Sequence, residues 1–153
     1  PELWPELPLM RGEKIIEAPA DRDHLVKRCT EEAIRFIKEH AAEPFFLYLP
    51  HFGVHSPHQA KEELVARFRD KPGAGGHRNP VYAAMIASVD ESVGRITALL
   101  DELRLADDTL VVFASDNGGV QRRIHKDAWQ VRLRSQSIQL FAEVPRTHVC
   151  TVR

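Results

Sequence analysis

An α/β fold is predicted, with a mixed sheet flanked by helices, and three stretches carry the prediction. Thr109 to Ala114 is an uncharged run rich in β-branched and aromatic residues, followed by the polar turn Ser115-Asp-Asn-Gly-Gly119. Such a run suits a strand covered on both faces. Pro44-Phe-Phe-Leu-Tyr-Leu-Pro50 is a second short apolar run, bracketed by prolines and followed by a histidine-rich loop. Between them, Tyr82, Met85, Ile86, Val89, Val93, Ile96, Leu100 and Leu103 recur at three- and four-residue steps, the period of a helix with one buried face. Strand, helix, strand, each strand ending in polar residues, is the pattern of open α/β sheets. Ligands there collect beyond the carboxyl ends of the strands.

The remaining elements follow from local chemistry. Residues 1–20 hold Pro1, Pro5, Pro8 and Pro19 and are expected to be irregular, crossing the surface of a larger body. Asp21 to His40 has the apolar stripe of a helix in Leu25, Ala33, Ile34, Phe36 and Ile37, with Asp21 or Asp23 as its cap. Thr30-Glu-Glu is a possible start of a second helical segment, and His40 stands where a helix carboxyl end favours a cation. Lys61 to Asp70 reads as a short surface helix with Leu64, Val65 and Phe68 inward. Residues 71–79 are a glycine-rich loop without the Gly-Lys-Ser/Thr of a phosphate loop. Asn79 and Pro80 are suited to the N-cap and first position of the long helix, expected over 80–104. Within it, Gly94 would permit close packing on a strand, and Asp90 is expected to be a buried or half-buried hydrogen-bonding residue.

Composition excludes several classes. With 43% hydrophobic and 28% charged residues, the 153-residue chain is neither disordered nor membrane-embedded in bulk. A net charge of −1 offers no whole-chain attraction to nucleic acid or membrane, and neither is expected as a partner. Residues 120–153 differ from the rest, with seven Lys or Arg against Asp127 and Glu143. Ile138 and Leu140 there alternate weakly, as do Val131 and Leu133, without defining an element, so this basic tail is of uncertain structure. Cys29 and Cys150 have no metal-type spacing.

Two clusters bear chemistry. Asp116 and Asn117 are hard oxygen donors that suit Ca²⁺ or Mg²⁺, although Asn-Gly is also an ordinary turn. His51, His55 and His58 fall within eight residues, and Gly53 and Pro57 exclude a regular helix there. They suit an acid–base or anion-facing loop, or else plain solvent-exposed histidines.

From Asp21 to Gly119 these pieces resemble the sulfatase family of the alkaline-phosphatase-like superfamily, in that family's order. Pro44 to Leu49 is similar to its strand before the His-x-Pro loop, and His55-Ser-Pro-His58 to the loop itself. Ser88-Val-Asp-Glu-Ser-Val-Gly94 is similar to the helix bearing Asp-x-x-x-Gly, and 106–118 to the calcium-binding signature. The resemblance implies a partial sulfatase domain over 21–119. It implies Ca²⁺ on Asp116 and Asn117, and hydrolysis of sulfate esters of small molecules or glycans. His55 would contact the sulfate and assist the leaving oxygen, and His58 would line the same pocket. It also implies a site of action outside the cytoplasm: periplasmic, extracellular or lysosomal.

The chain departs from the family at decisive places. The Cys-x-Pro/Ala-x-Arg motif, whose cysteine becomes the formylglycine nucleophile, matches neither Cys29 nor Cys150. The family's early Asp-Asp pair and Lys-x-His are missing, as are the Gly-Lys and Glu-Gly-Gly regions expected after Gly119. The chain is therefore expected to be a piece of something longer, inactive alone, with an incompletely covered sheet and a frame change or splice near Val120. Other readings are a phosphoryl- or phosphonate-ester hydrolase of the same superfamily and a non-enzymatic, anion-binding remnant.

Overall fold

A computed structural model describes residues 7–73, 77–115, 138–143 and 149–151. The long helix forms as expected. α3 spans Pro80–Glu102, with Pro80 in its first turn and the Asn79 carboxamide oxygen accepting from the Val81 and Tyr82 amides at 3.0 and 3.2 Å. α1 spans Leu25–Glu39 behind a 3-10 turn, Arg22–His24, that Asp21 caps. α2 spans Glu62–Arg69, with Val65 buried and Leu64 and Phe68 half-buried.

β3, Phe46–His51, is the strand around which the core is built. Leu47, Leu49 and His51 on one face are buried, while Phe46, Tyr48 and Pro50 on the other are half-buried. Ala33 and Ile37 of α1, and Ile96, Leu99 and Leu100 of α3, pack with Phe45, Leu47 and Leu49 in one cluster. One sheet face thus takes both long helices, as the two apolar stripes require. Thr30 does not start a helical segment. It lies inside α1, buried, with its hydroxyl bonded back to the Val26 carbonyl at 2.7 Å.

Several expectations give way to tertiary context. Residues 9–17 are not irregular: β1, Leu9–Arg11, and β2, Lys14–Glu17, form an antiparallel hairpin turned at Gly12, whose φ is +58°. Its prolines, Pro8 and Pro19, flank the strands and so remove no ladder bond. Arg11–Glu32 and Arg28–Glu17 ion pairs tie the hairpin to α1. Asp90 is exposed rather than buried, one position off the face that buries Val89. Gly94 packs against nothing, since a Cβ there would have open space around it.

β4, Leu110–Ser115, departs most from its sequence. It was expected to be covered on both faces, yet Leu110 is 59% and Phe113 56% exposed. Among the described residues the sheet order is β4-β5-β3-β6, with β4 at the edge. β5, Ile138–Glu143, separates the two expected strands and runs antiparallel to both. β6, Val149–Thr151, pairs parallel with β3. Part of the basic tail therefore belongs to the sheet, and Ile138 and Leu140 do fall in a strand. Val131 and Leu133 lie outside the described residues.

Candidate functional site at the carboxyl end of the sheet

β3 and β4 are both antiparallel to β5, so they run in the same direction. His51 closes β3 and Ser115 closes β4, and both register with Ile138 of β5. The two strands therefore end at one level, two strand spacings apart, or about 10 Å. The His55 loop leaves one end, and Asp116-Asn117 follows directly on the other. Asp116 and Asn117 themselves lie outside the described residues. Among the described residues no group of three or more His, Cys, Asp or Glu is placed to hold a metal.

The three histidines that the sequence groups together are separated by the fold. His51 is no loop residue. It is 1% exposed, and its Nε2 lies 2.9 Å from the Ser92 hydroxyl of α3, which lies 2.7 Å from Thr30 Oγ1 of α1. Thr30 has one hydroxyl proton. The Val26 carbonyl can only accept, so it takes that proton, and Ser92 must donate to Thr30. His51 Nε2 then carries the proton donated to Ser92, and Nδ1 is an acceptor with no partner among the described residues. Burial holds this imidazole neutral, lowering its pKa to about 4. The relay joins α1, α3 and the end of β3, four residues before His55. Its members are scattered in the sequence as two ordinary helix hydroxyls and one histidine, so periodicity alone did not reveal it.

His55 is exposed, in a loop where the Gly53–Val54 and Ser56–Pro57 peptides are cis. Its Nδ1 lies against the Ser56 carbonyl, which only accepts. Nδ1 therefore bears a proton, and Nε2 is the nitrogen presented to a ligand: a base when neutral, a donor when charged. Gly53 sets the loop's course. A Cβ there would come within 3.2 Å of Val89 Cγ2 and 3.3 Å of Val26 Cγ2, so the loop backbone packs closely between α1 and α3. His58 points elsewhere, lying against the Tyr82 ring at 5.3 Å between centroids with the planes tilted by 56°, and making a long 3.5 Å contact with the Asn79 amide.

A cavity of about 340 Å³ opens beside His55, and His58 does not line it. The hairpin side contributes Leu7 and Leu9, α1 Leu25 and Val26, the loop Phe52, and α3 Met85. Sequence reasoning missed this space because one wall is the hairpin, which it read as irregular. Burial raises the Cys29 thiol pKa, which disfavours the thiolate that a nucleophile needs.

A mixed sheet with both long helices over one face and the histidine loop at one carboxyl edge fits part of an alkaline-phosphatase-like α/β domain. The family model described as Sulfatase matches residues 8–135, and the chain belongs to the sulfatase family. The match begins just before the hairpin and runs past Gly119. Human steryl-sulfatase is 42% identical over 110 residues, covering 72% of this chain and 17% of its own. Human N-acetylgalactosamine-6-sulfatase is 38% identical over 89 residues, covering 58% and 15%. A crystal structure of Ps i-CgsB in complex with k-i-k-neocarrahexaose superposes with a TM-score of 0.62 at 26% identity, over 95% of this chain and 34% of that one. The chain spans about a sixth of the steryl-sulfatase it matches.

Proposed function

We propose that this chain is the segment of a sulfatase that supplies one catalytic histidine and part of a metal shell for hydrolysis of a sulfate ester. The carrying observation is the common level at which β3 and β4 end, with His55 and Asp116-Asn117 in the segments that follow. His55 Nε2, with Nδ1 pinned on the Ser56 carbonyl, donates to a sulfate oxygen when charged and delivers its proton to the leaving oxygen. The carboxylate of Asp116 and the carboxamide oxygen of Asn117 are the donor chemistry that calcium takes. They are two of the six to eight oxygens it needs, so the rest of the shell must come from other parts of a full-length sulfatase. When bound, calcium supplies positive charge toward the sulfate oxygens. The nucleophile likewise lies outside these 153 residues, because neither cysteine stands in a formylglycine motif. The 153-residue chain alone is inactive in this reading.

The test is an NMR titration of the whole chain with inorganic sulfate in the presence of calcium. Sulfate is expected to shift the His55 ring resonances, with Asp116→Ala weakening the effect through the loss of a calcium donor. A His55 ring that ignores saturating sulfate and calcium would overturn the assignment.

A further inference from the structure

We propose that the buried relay Thr30–Ser92–His51 positions His55, by setting the gap between α1 and α3 into which the His55 loop is keyed. The proposal takes its functional meaning from the reading of His55 as the sulfate-facing residue, while its geometry is independent of sulfate. Among the described residues, Thr30, His51 and Ser92 are the buried polar ones, 1%, 1% and 2% exposed, and all three belong to this single chain of hydrogen bonds. The other buried side chains among them are apolar. An apolar trio would fill the same space without desolvating three polar groups, so stability alone does not account for the relay. A buried hydrogen bond adds a fixed distance and direction, which apolar packing leaves adjustable.

The relay and the loop use the same two helices, one turn apart. On α1, Thr30 follows Val26 by four residues and is bonded back to its carbonyl. On α3, Ser92 follows Val89 by three. Residues at these steps lie on one helix face. Val26 and Val89 are also the two side chains that a Cβ on Gly53 would meet, at 3.3 and 3.2 Å. The 2.7 Å bond between Thr30 and Ser92 therefore spans the helices one turn from where Gly53 sits between them. His51 ties the end of β3 to the same bond through Ser92 at 2.9 Å. The chain is thus held at residues 51 and 53, and a single turn leads on to His55. In that turn the His55 amide donates to the Phe52 carbonyl at 2.9 Å, and Val54 is buried. Without the hydroxyl bond the two helices can shift against each other, and Gly53, packed against both, moves with them.

The experiment is two-dimensional NMR and amide exchange on the intact 153-residue chain. Thr30→Val keeps the side-chain shape and removes the hydroxyl, whereas Thr30→Ser keeps the hydroxyl and removes a methyl. Thr30→Val is expected to shift the 53–56 amides and the His55 ring, and to speed exchange of the His55 amide about tenfold, the restraint of about one hydrogen bond. Ser92→Ala should do the same, and Thr30→Ser should restore the wild-type signals. A Thr30→Val chain that loses stability with an unmoved loop would reduce the relay to core packing and overturn the proposal. So would Thr30→Ser displacing the loop as far as Thr30→Val. The wild type carries a test that no misfolded variant can obscure. The relay places a proton on His51 Nε2, and that proton and the His55 amide should exchange through one opening, with the same dependence on urea. A His55 amide that exchanges freely while the Nε2 proton stays protected would also overturn the proposal. Added sulfate and calcium separate the two readings. If Thr30→Val moves the loop but the wild-type His55 ring ignores sulfate, the positioning role stands and the sulfate-facing role of His55 falls. If sulfate shifts the His55 ring equally in both chains and the loop is unmoved, the positioning role falls and the sulfate-facing role stands.

Discussion

β3 and β4 are near-equals in sequence and opposites in the fold. Each is an uncharged six-residue strand, and each leads into a polar turn at the same edge of the sheet. β3 lies inside the sheet with α1 and α3 over one face, and its Leu47 and Leu49 are almost wholly buried. Among the described residues β4 is at the edge, and only its Val111 reaches the core cluster. The contrast separates what apolar composition provides, a strand, from what neighbours provide, burial. Leu110, Val112 and Phe113 look like core residues to any sequence rule, yet the described residues leave them in the open.

The largest test of that contrast is truncation. Leu49→Ala should destabilise the chain by about 2–5 kcal/mol, whereas Leu110→Ala should cost less than about 0.5 kcal/mol. Urea denaturation would measure both. An equal loss at Leu110 would mean that β4 is covered in solution.

The end of β3 provides a second, pH-dependent test. His51 is neutral in the fold with a pKa of about 4, against an ordinary 6.5 in the unfolded chain. Between these values the unfolded chain binds the extra proton, so stability is full above about pH 6.5 and falls as pH drops toward 4. The loss is on the order of 3 kcal/mol for a shift of this size. Thermal melts at pH 7.5 and 4.5 should show it, and His51→Gln should flatten the dependence. A wild-type chain as stable at pH 4.5 as at 7.5 would show that His51 is not held neutral.

Glycines sharpen the comparison between the packed and open sides. Gly53→Ala pushes a methyl into Val26 and Val89 and should cost about 1–3 kcal/mol. It should also displace the His55 loop, visible as a change in the His55 ring shifts. Gly94→Ala meets nothing and should instead stabilise α3 by about 0.5–1 kcal/mol. Finally, Asn79→Ala removes the cap from the Val81 and Tyr82 amides and should cost about 1 kcal/mol. A larger effect there would show that the Asn79–His58 contact matters to the loop as well.

The site was legible in proportion to how local its signals are. His55 could be picked out because the residues around it form a compact motif. His58 shares the motif, but its ring faces Tyr82 across the N-terminus of α3, a contact 24 residues away that no local pattern encodes. His51 was misplaced for the opposite reason. Its neighbours read as a polar loop, while the strand's alternation, carried on through Leu47 and Leu49, turns it inward onto Ser92 and Thr30. Proline density hid the hairpin, because the prolines lie outside its strands and the ties to α1 are ion pairs between distant residues.

The sequence by itself determined the helices, their caps, the apolar strands and the chemistry carried in the turns after them. Those features depend on residues within a few positions of one another, where periodicity and hydrogen-bond competition act directly. Only the tertiary structure decided which strand is buried, which histidine is sealed into a relay and which faces a cavity, and that β5 sets the ends of β3 and β4 level. These outcomes depend on which surfaces meet, and burial, unlike propensity, is a property of the pair in contact.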